Sequence, residues 1–455
     1  MIKNKNELIR NNTCVKARKL VLGALEAALS AADPKSVIKK HVNLKGDRLR
    51  IVDKLYSITE FDHIYVIGTG KASGYLAEAV NEIFDDKISS GLVIIPDYFK
   101  RKLETGNIKL WGSTHPIPSE KGVKGTNKML DIVRNATSKD LVMCLISGGG
   151  SALMPLPYNG ITITEKQNVT RILLRSGATI NEINTVRKHI SAIKGGRLAE
   201  ILSRPTLISL MISDVVGDRL ETIASGPTVP DTTTFTDAVQ ILKKYHLWNK
   251  IDSNVKNVLI NGISGKIQDT PKPDNKIFRK VRNFIIGSNR LACEAAVDYL
   301  KSKKLNSTIF TTFMQGEARD MGIVASSIMS QINTINQPIR KPGSIIMGGE
   351  TTVTVKGNGF GGRNQETVLS ALRRIGDLGD IAIASIGTDG IDGNSNVAGA
   401  LADTKTLERA QKKKMTPTKY LTSNDSYTFF KKLKDTIRTG STGTNVNDIL
   451  IMVYL

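Results

Sequence analysis

Short uncharged runs that each end in turn residues recur along the chain. The clearest run, residues 141–146, is entirely apolar and is followed by Ser147-Gly148-Gly149-Gly150-Ser151. Such a run predicts a strand buried on both faces, as in a parallel sheet covered by helices. Similar runs at 64–67, 207–212 and 382–386 also lead into turns.

Helical patterns separate these strands. Apolar residues recur at helical spacing before residue 60, and the pattern predicts helices at 73–84 and 119–136. Strands that alternate with helices in this way predict a doubly wound α/β domain. The alternation restarts after the linker-like segment 271–274, so we predict two domains, covering residues 1–275 and 280–455. Packing of the final strand back onto the N-terminal domain is left open.

The composition is that of an ordinary globular protein, with 40% hydrophobic and 23% charged residues in a chain of 455. No apolar run reaches the roughly 20 residues that a membrane-spanning helix needs, so we expect no membrane partner. The N-terminus leads into no signal-peptide core. Cys14, Cys144 and Cys293 lie far apart in the sequence, which predicts reduced thiols and a cytoplasmic location.

The net charge of +22 raises the question of an anionic partner. A nucleic-acid binder usually concentrates its charge in a patch with interleaved aromatic residues. Here the basic residues are spread out and aromatic residues make up only 5%, so we expect no nucleic-acid partner. Small polyanionic substrates and a lysine-rich surface explain the charge equally well.

The glycine-rich turn at 147–151 is a candidate anion site. Glycine lets backbone N–H groups point toward a bound group, although a tight loop that binds nothing is the alternative. Lys71, in Gly68-Thr69-Gly70-Lys71, lies between a predicted strand and a predicted helix, where the helix dipole favours an anion. The segment is not a Walker A motif, because Gly-x-x-x-x-Gly-Lys-Ser/Thr is absent.

A second basic cluster surrounds a glycine pair farther along the chain. Its members are Arg187, Lys188, Lys194 and Arg197, and the pair is Gly195-Gly196. Cations beside a glycine pair suit a phosphate or a carboxylate.

Acidic residues supply further candidates. Asp214 follows the buried run 207–212, where it is suited either to oxygen ligation of a metal or to capping a helix. Asp389 and Asp392 lie among glycines, a pattern typical of a Mg²⁺ loop but also of an ordinary turn.

The C-terminal half has two more loops of this kind. Glu350 follows Gly348-Gly349. Arg363 follows Gly361-Gly362 at a predicted helix start, which places its guanidinium well for an oxyanion.

The ordered set of these loops resembles the glycerate 2-kinases, the family whose C-terminal half is called the MOFRL domain. The matching stretches run from about residue 65 to 450 in the family's order: Gly68-Thr-Gly-Lys-Ala72, Ser147-Gly-Gly-Gly-Ser-Ala-Leu153, Asn184-Thr-Val-Arg-Lys-His189, Lys194-Gly-Gly-Arg197, Ser213-Asp-Val-Val-Gly-Asp218, Gly348-Gly-Glu-Thr-Thr352, Gly362-Arg-Asn-Gln-Glu366 and Gly387-Thr-Asp-Gly-Ile-Asp-Gly393.

The resemblance implies an ATP- and Mg²⁺-dependent kinase. Such an enzyme phosphorylates D-glycerate at the 2-hydroxyl and gives 2-phosphoglycerate and ADP. The implied fold is α/β, with a Rossmann-like doubly wound N-terminal domain, a smaller α/β C-terminal domain and an active site in the cleft between them. A homodimer is left open.

The resemblance also assigns roles to residues. Lys71 and Arg363 match the family's proposed catalytic pair. Asp214 and Asp389 are each suited to holding Mg²⁺ or to orienting the glycerate hydroxyl, and these roles stay open. The full expectation is catalysis by Lys71, Arg363 and Asp214; nucleotide binding by Ser147, Gly148, Gly149, Gly150, Ser151 and Lys194; substrate binding by Gly70, Arg187, Arg197, Glu350 and Asn364; and metal binding by Asp389 and Asp392.

The enzyme alternative is a hydroxypyruvate reductase that uses NAD(P)H. A dinucleotide enzyme should show Gly-x-Gly-x-x-Gly after a strand. Here Ser73 stands where the third glycine should be, which disfavours the reductase. A non-enzymatic nucleotide sensor is also disfavoured, because it would not need charged loops in the C-terminal half.

Overall fold

The computed structural model describes residues 1–10, 14–99, 101–376 and 379–455. The strands are β1 (Val42–Lys45), β2 (Arg48–Ile51), β3 (Lys54–Ser57), β4 (His63–Thr69), β5 (Ser90–Pro96), β6 (Ile108–Ser113), β7 (Asp140–Ile146), β8 (Thr206–Ile212), β9 (Val281–Gly287), β10 (Asn306–Met314), β11 (Gly343–Gly349), β12 (Ile381–Gly387), β13 (Gly399–Asp403), β14 (Thr436–Ile437) and β15 (Asp448–Tyr454).

The α-helices are α1 (Lys5–Arg10), α2 (Val15–Ala32), α3 (Pro34–His41), α4 (Ser73–Phe84), α5 (Glu120–Val133), α6 (Gly150–Leu153), α7 (Ile163–Arg175), α8 (Ile180–His189), α9 (Arg197–Ile201), α10 (Phe235–Lys244), α11 (Ser253–Ile263), α12 (Asn289–Ser302), α13 (Ala318–Ile335), α14 (Arg363–Ala371), α15 (Thr406–Lys412), α16 (Pro417–Thr422) and α17 (Ser426–Leu433). Among the described residues, no helix is both long and apolar enough to cross a bilayer.

The chain forms two compact units. The central unit is Val37–Ile286, and the terminal unit combines Met1–Ser36 with Gly287–Leu455. The prediction that one domain covers residues 1–275 is therefore wrong for the N-terminal helices. The sequence showed that these residues form amphipathic helices, but it did not show against which sheet they pack.

The central unit contains a sheet with the strand order β6-β5-β4-β7-β8-β9. The pairs from β6 to β8 are all parallel, so the carboxyl ends of these strands lie along one edge. All seven residues of β7 are buried, which confirms the prediction from its uncharged run. The chain leaves β4 toward β5 and β6 on one side, then returns to place β7 on the other side.

This reversal is a topological switch point, which is where doubly wound sheets bind ligands. Register brings the relevant ends together, because Thr69 of β4 pairs with Ile146 of β7. Ile146 in turn pairs with Met211 of β8. The turns after these three strands are therefore neighbours.

The terminal unit contains a mixed sheet with the order β10-β11-β15-β12-β13-β14. The last strand, β15, lies inside this sheet and runs antiparallel to both β11 and β12. The last strand therefore belongs to the sheet of the terminal unit and not to the sheet of the central unit. All seven residues of β15 are buried, so the strand needs cover on both faces, and α2 contacts it.

Arg18 fixes the N-terminal helix to this unit. Its Nε lies 2.5 Å from Asp403 Oδ2, and its Nη1 lies 2.9 Å from Asp435 Oδ1. All three side chains are buried. A buried charge needs a close partner of opposite sign. Detaching α2 would remove the Arg18 charge from both carboxylates and leave them only Arg409, which lies 2.6 Å from Asp435 and 4.0 Å from Asp403.

Candidate active site

The turns after β4 and β7 are hydrogen-bonded to each other at the switch point. The Lys71 N–H donates to the Gly148 carbonyl at 2.9 Å, and the Ser147 N–H donates to the Thr69 carbonyl at 3.0 Å. The structure therefore brings together the two segments that the sequence singled out separately as candidate anion sites.

Ser147 holds these turns in place with its side chain. Its Oγ accepts from the Ala72 N–H and lies 3.0 Å from the Ser73 hydroxyl. A Cβ on Gly70, whose φ is +137°, would overlap that same Ser147 hydroxyl. Gly70 and Ser147 thus shape the backbone of the two turns, and the substrate and nucleotide contacts expected of them stay predictions.

The three glycines present backbone donors. Within the described chain, no protein group accepts a hydrogen bond from the N–H of Gly149, Gly150 or Ser151. Gly149 has φ +85°, a conformation that favours glycine and lets successive N–H groups converge. Such a turn is suited to phosphate oxygens.

Asp214 lies directly against this turn. A Cβ on Gly148 would overlap Oδ2 of Asp214, so the carboxylate reaches the turn only because residue 148 is glycine. Asp214 follows β8, and the aligned carboxyl ends of β7 and β8 explain the proximity.

His115 also reaches the turn. In the sequence it lies in a proline-rich loop, where contact with a substrate and a structural role were both open. A Cβ on Gly149 would lie 3.1 Å from Cδ2 and Nε2 of His115 and 3.3 Å from Cγ of Lys71. Burial lowers the pKa of His115, and the charge of Lys71 lowers it further. The sequence signal that could have identified His115 as a site residue is its position, because it follows β6 and therefore lies at the same edge of the sheet as the glycine-rich turn.

Two predicted cations flank the turn. Lys194 is buried and donates through Nζ to the Gly150 carbonyl at 3.1 Å. Burial, together with the nearby Arg187 charge, lowers the pKa of Lys194 to about 7. Burial also lowers the pKa of Arg187. Among the described residues, no carboxylate lies within ion-pair distance of Arg187.

Helix α8 places Arg187 beside the turn. Asn184, three residues earlier and therefore on the same helical face, accepts from the Ser225 hydroxyl at 3.3 Å. The Ser225 hydroxyl lies 2.8 Å from that of Ser151. This chain of hydrogen bonds ties α8 to the glycine-rich turn.

Lys166 adds a third cation that no sequence motif indicated. It is buried in α7, and its Nζ donates to the carbonyls of Arg187 and Ile190, each at 3.2 Å. Burial and the charges of Arg187 and Lys194 lower the pKa of Lys166. Cations that lower one another's pKa create a strongly positive site, which an anion would stabilise.

Two members of the predicted basic cluster point elsewhere. Lys188 pairs with the buried Asp231 at 3.2 Å. Arg197 lies over the Tyr158 ring, 5.2 Å from its centroid, and donates to the Gln268 carbonyl. These contacts give Arg197 a packing role, and its substrate contact stays a prediction.

A second candidate site lies in the terminal unit, in a cavity of about 610 Å³ lined in part by Arg363 and Asp389. Arg363 begins α14 and is held between two carboxylates. Its Nη1 donates to Glu350 Oε1 at 2.6 Å, and its Nε lies 2.7 Å from Asp448 Oδ2. Burial opposes the charge of Arg363, but Asp448 and Glu350 outweigh it and raise the arginine's pKa. The side chain keeps about a third of its surface exposed.

Asn364 and Asp392 form a closed polar network behind Arg363. The two Asp392 oxygens accept four hydrogen bonds, from the backbone and side-chain N–H groups of Asn364 and Gln365. Asn364 also donates to Asp448 and accepts from the Ser385 hydroxyl. The predicted metal role of Asp392 and substrate role of Asn364 do not fit these contacts, because their polar atoms are already used.

The predicted metal pair is therefore incomplete. Asp389 lines the cavity, and its Oδ1 accepts from the Ile391 N–H at 3.0 Å, as in an ordinary turn. Within the described ranges, no group of three or more His, Cys, Asp or Glu side chains is arranged to hold a metal ion.

Comparison with known proteins gives a consistent result. A domain of unknown function (DUF4147) matches residues 20–260, and the MOFRL family matches residues 343–448. A glycerate 2-kinase of Pyrococcus horikoshii is 41% identical, over 96% of this chain and 97% of that protein. A D-glycerate 2-kinase of Thermotoga maritima is 38% identical, over 92% and 99%. The crystal structure of a Thermotoga maritima glycerate kinase matches with a TM-score of 0.86 at 36% identity, over 96% of this chain and 99% of that one.

Proposed function

This chain belongs to the glycerate 2-kinase family, and we propose that it transfers the γ-phosphoryl group of ATP to the 2-hydroxyl of D-glycerate. The products are 2-phosphoglycerate and ADP. The observation that carries the proposal is the set of groups around the glycine-rich turn: converging N–H donors beside Lys71, Arg187 and Lys194.

These groups suit phosphoryl transfer because the reaction needs little covalent chemistry from the protein. It needs in-line positioning and compensation of the charge on the transferring oxygens. The N–H groups of Gly149, Gly150 and Ser151 supply fixed donors for nucleotide phosphates. Lys194 and Arg187 supply positive charge next to that turn, for a phosphate or for the glycerate carboxylate.

Lys71 and Arg363 act as the catalytic pair in this proposal. Lys71 lies beside Gly149, where its charge can meet the transferring phosphoryl group. Arg363 is held in one orientation by Glu350 and Asp448, and its exposed edge is available to an anion. We propose that substrate binding directs both cations to the same phosphoryl group and excludes water from it.

Asp389 and Asp392, the predicted metal pair, do not form a complete site for a divalent ion. The Asp392 carboxylate is fully hydrogen-bonded, so it does not fit the role of ligand. Mg²⁺ in kinases is often bound by one or two carboxylates together with the nucleotide phosphates. Asp389 or Asp214 would be the carboxylate in that arrangement, and no step of the proposal depends on it.

An assay tests the proposal directly. Purified protein is incubated with ATP, Mg²⁺ and D-glycerate, and the product is identified as the 2- or the 3-phosphate. We expect 2-phosphoglycerate and one ADP per product. Absence of ADP, together with oxidation of NADH in the presence of hydroxypyruvate, would establish the reductase instead.

A further inference from the structure

We infer that His115 is the general base of the reaction, accepting the proton of the glycerate 2-hydroxyl as that oxygen attacks the γ-phosphorus. The inference rests on the proposed function and adds a catalytic residue to it. It starts from a geometric observation, namely that an imidazole edge is packed on the phosphate-binding turn next to Lys71.

The position of the ring is set by three elements that end at one edge of the sheet. His115 follows β6, Lys71 follows β4 and Gly149 follows β7. The Cδ2–Nε2 edge of His115 faces Gly149, since a Cβ there would contact both atoms at 3.1 Å. A group bound to the turn's N–H donors would therefore lie near Nε2.

The ring is also available for the task. Within the described chain, no protein group forms a hydrogen bond or an ion pair with its nitrogens. The imidazole is half-buried, and Lys71 is the neighbouring charge that acts on it. Both influences favour the neutral ring at pH 7, and a neutral imidazole can accept a proton. Most other histidines of the chain are engaged: His41, His63 and His189 each bond to a protein acceptor.

The step balances without any further reactant. The bond between the glycerate 2-oxygen and the γ-phosphorus forms while the bond from that phosphorus to the β,γ-bridging oxygen breaks. The bridging oxygen leaves with the electron pair as part of ADP. The hydroxyl proton moves to Nε2 of His115 and is released to solvent after the product departs.

Asp214 is the competing base, because its carboxylate also touches the turn. It lies against Gly148, whereas the His115 ring and the Lys71 side chain both lie against Gly149, and the Lys71 charge acts on the ring. The lysine should be close to the transferring phosphoryl group, so the group beside the lysine is better placed to meet the attacking oxygen. Asp214 is therefore assigned to orienting the substrate hydroxyl or to compensating charge, and His115 is assigned to accepting the hydroxyl proton.

The experiment compares His115→Gln with His115→Ala and with the matched control His41→Gln, a histidine bonded to its own helix. ATP affinity is measured by calorimetry, and kcat and KM are measured with D-glycerate. General base catalysis typically contributes about 10²–10⁴-fold, so both His115 variants should lose at least about hundredfold in kcat. ATP affinity should change less than about threefold, and the control should retain full activity.

Chemical rescue separates proton transfer from a purely structural role. Added imidazole should raise the kcat of His115→Ala at least about tenfold and should leave the kcat of the wild type unchanged. A kcat within about threefold of wild type in His115→Gln would overturn the inference. So would a loss of ATP affinity that parallels the loss of kcat, or a lack of rescue. In each of these cases a wild type that makes 2-phosphoglycerate leaves the proposed function standing.

Discussion

The Nε atom of Arg363 lies 2.7 Å from Oδ2 of Asp448, the first residue of the last strand. The pairing is asymmetric, because Asp448 is buried while the guanidinium is partly exposed. Asn364 holds the other carboxylate oxygen at 2.9 Å. A fixed buried carboxylate thus sets the direction of a cation that keeps an exposed edge for a ligand, which makes Asp448 a positioning residue.

Asp448→Asn should therefore impair catalysis more than binding. The change preserves size but removes the charge that orients Arg363, so we expect kcat to fall more than about tenfold while KM for ATP stays within about threefold. Steady-state kinetics measure both constants. Asp131→Asn, an exposed helical aspartate, is the control and should behave as wild type. Unchanged kcat in Asp448→Asn would show that Glu350 alone orients the guanidinium.

Lys71→Ala and Arg363→Ala should each lower kcat more than about tenfold. Each removes a charge that is used mainly in the transition state, and such interactions are typically worth a factor of ten to a thousand. The controls are Lys109→Ala and Arg373→Ala, which truncate exposed basic residues. Full activity in both site variants would remove these two residues from the mechanism.

Lys194→Met should stabilise the protein at low pH while weakening ATP binding. The Lys194 pKa falls from 10.5 in the unfolded chain to about 7 in the fold. Between these values the unfolded state binds more protons, so this lysine costs stability that is recovered as pH rises from about 7 to about 10. The gain from methionine should be largest below pH 7 and should vanish near pH 10.

Thermal unfolding from pH 6 to pH 10 measures this effect. Each pKa unit corresponds to about 1.4 kcal/mol, so a rise in Tm of more than about 2 °C at pH 6 is expected. Lys243→Met, at an exposed lysine, should show no such pH dependence. A Tm gain that is equal at every pH would mean that the lysine is not buried as a charge.

Gly148→Ala should disable the site while leaving the fold intact. The added methyl group would overlap the Asp214 carboxylate and push it away from the turn. We expect a loss of kcat of more than about tenfold with a Tm within about 3 °C of wild type. Gly376→Ala is the matched control, since the nearest atom to its added Cβ is a leucine methyl at 3.8 Å. Equal kinetics for both alanine variants would argue against a role for Asp214.

Arg18→Ala should unfold the terminal unit at lower denaturant concentration. Removing the arginine takes one of two cations away from the buried Asp403 and Asp435 and leaves only Arg409 beside them. Breaking a buried pair costs about 3–5 kcal/mol. Urea unfolding measures the change, and Lys19→Ala on the exposed face of α2 should stay within about 0.5 kcal/mol of wild type. Equal stability of the two variants would contradict the assignment of the N-terminal helices to this unit.

The sequence predicted local structure well where the pattern was strong. The strands expected at 141–146 and 207–212 appear as β7 and β8, and the helix expected at 73–84 is α4. The period of the apolar residues fixes such elements, because a strand buried on both faces tolerates no charge. The glycine-rich turns that follow the strands also indicated which edge of the sheet carries the candidate site.

Side-chain partners were harder to predict, because they depend on distant residues. Nothing near Asp392 in the sequence shows that Asn364 and Gln365 will use all of its lone pairs. Arg197 looked like Arg187 in its motif, yet Tyr158 and Gln268 hold it. Lys166 belongs to no motif and becomes part of the cationic site only through the packing of α7 and α8.

The sequence by itself determined the α/β class, the glycine-rich turns and the family resemblance, because periodicity and turn chemistry are local properties. The tertiary structure alone decided which charges meet. It joined the turns after β4 and β7, brought His115 onto Gly149, placed Asp448 behind Arg363 and drew the N-terminal helices into the terminal unit. These outcomes depend on strand order and on the burial of charges, and neither is encoded in any single stretch of chain.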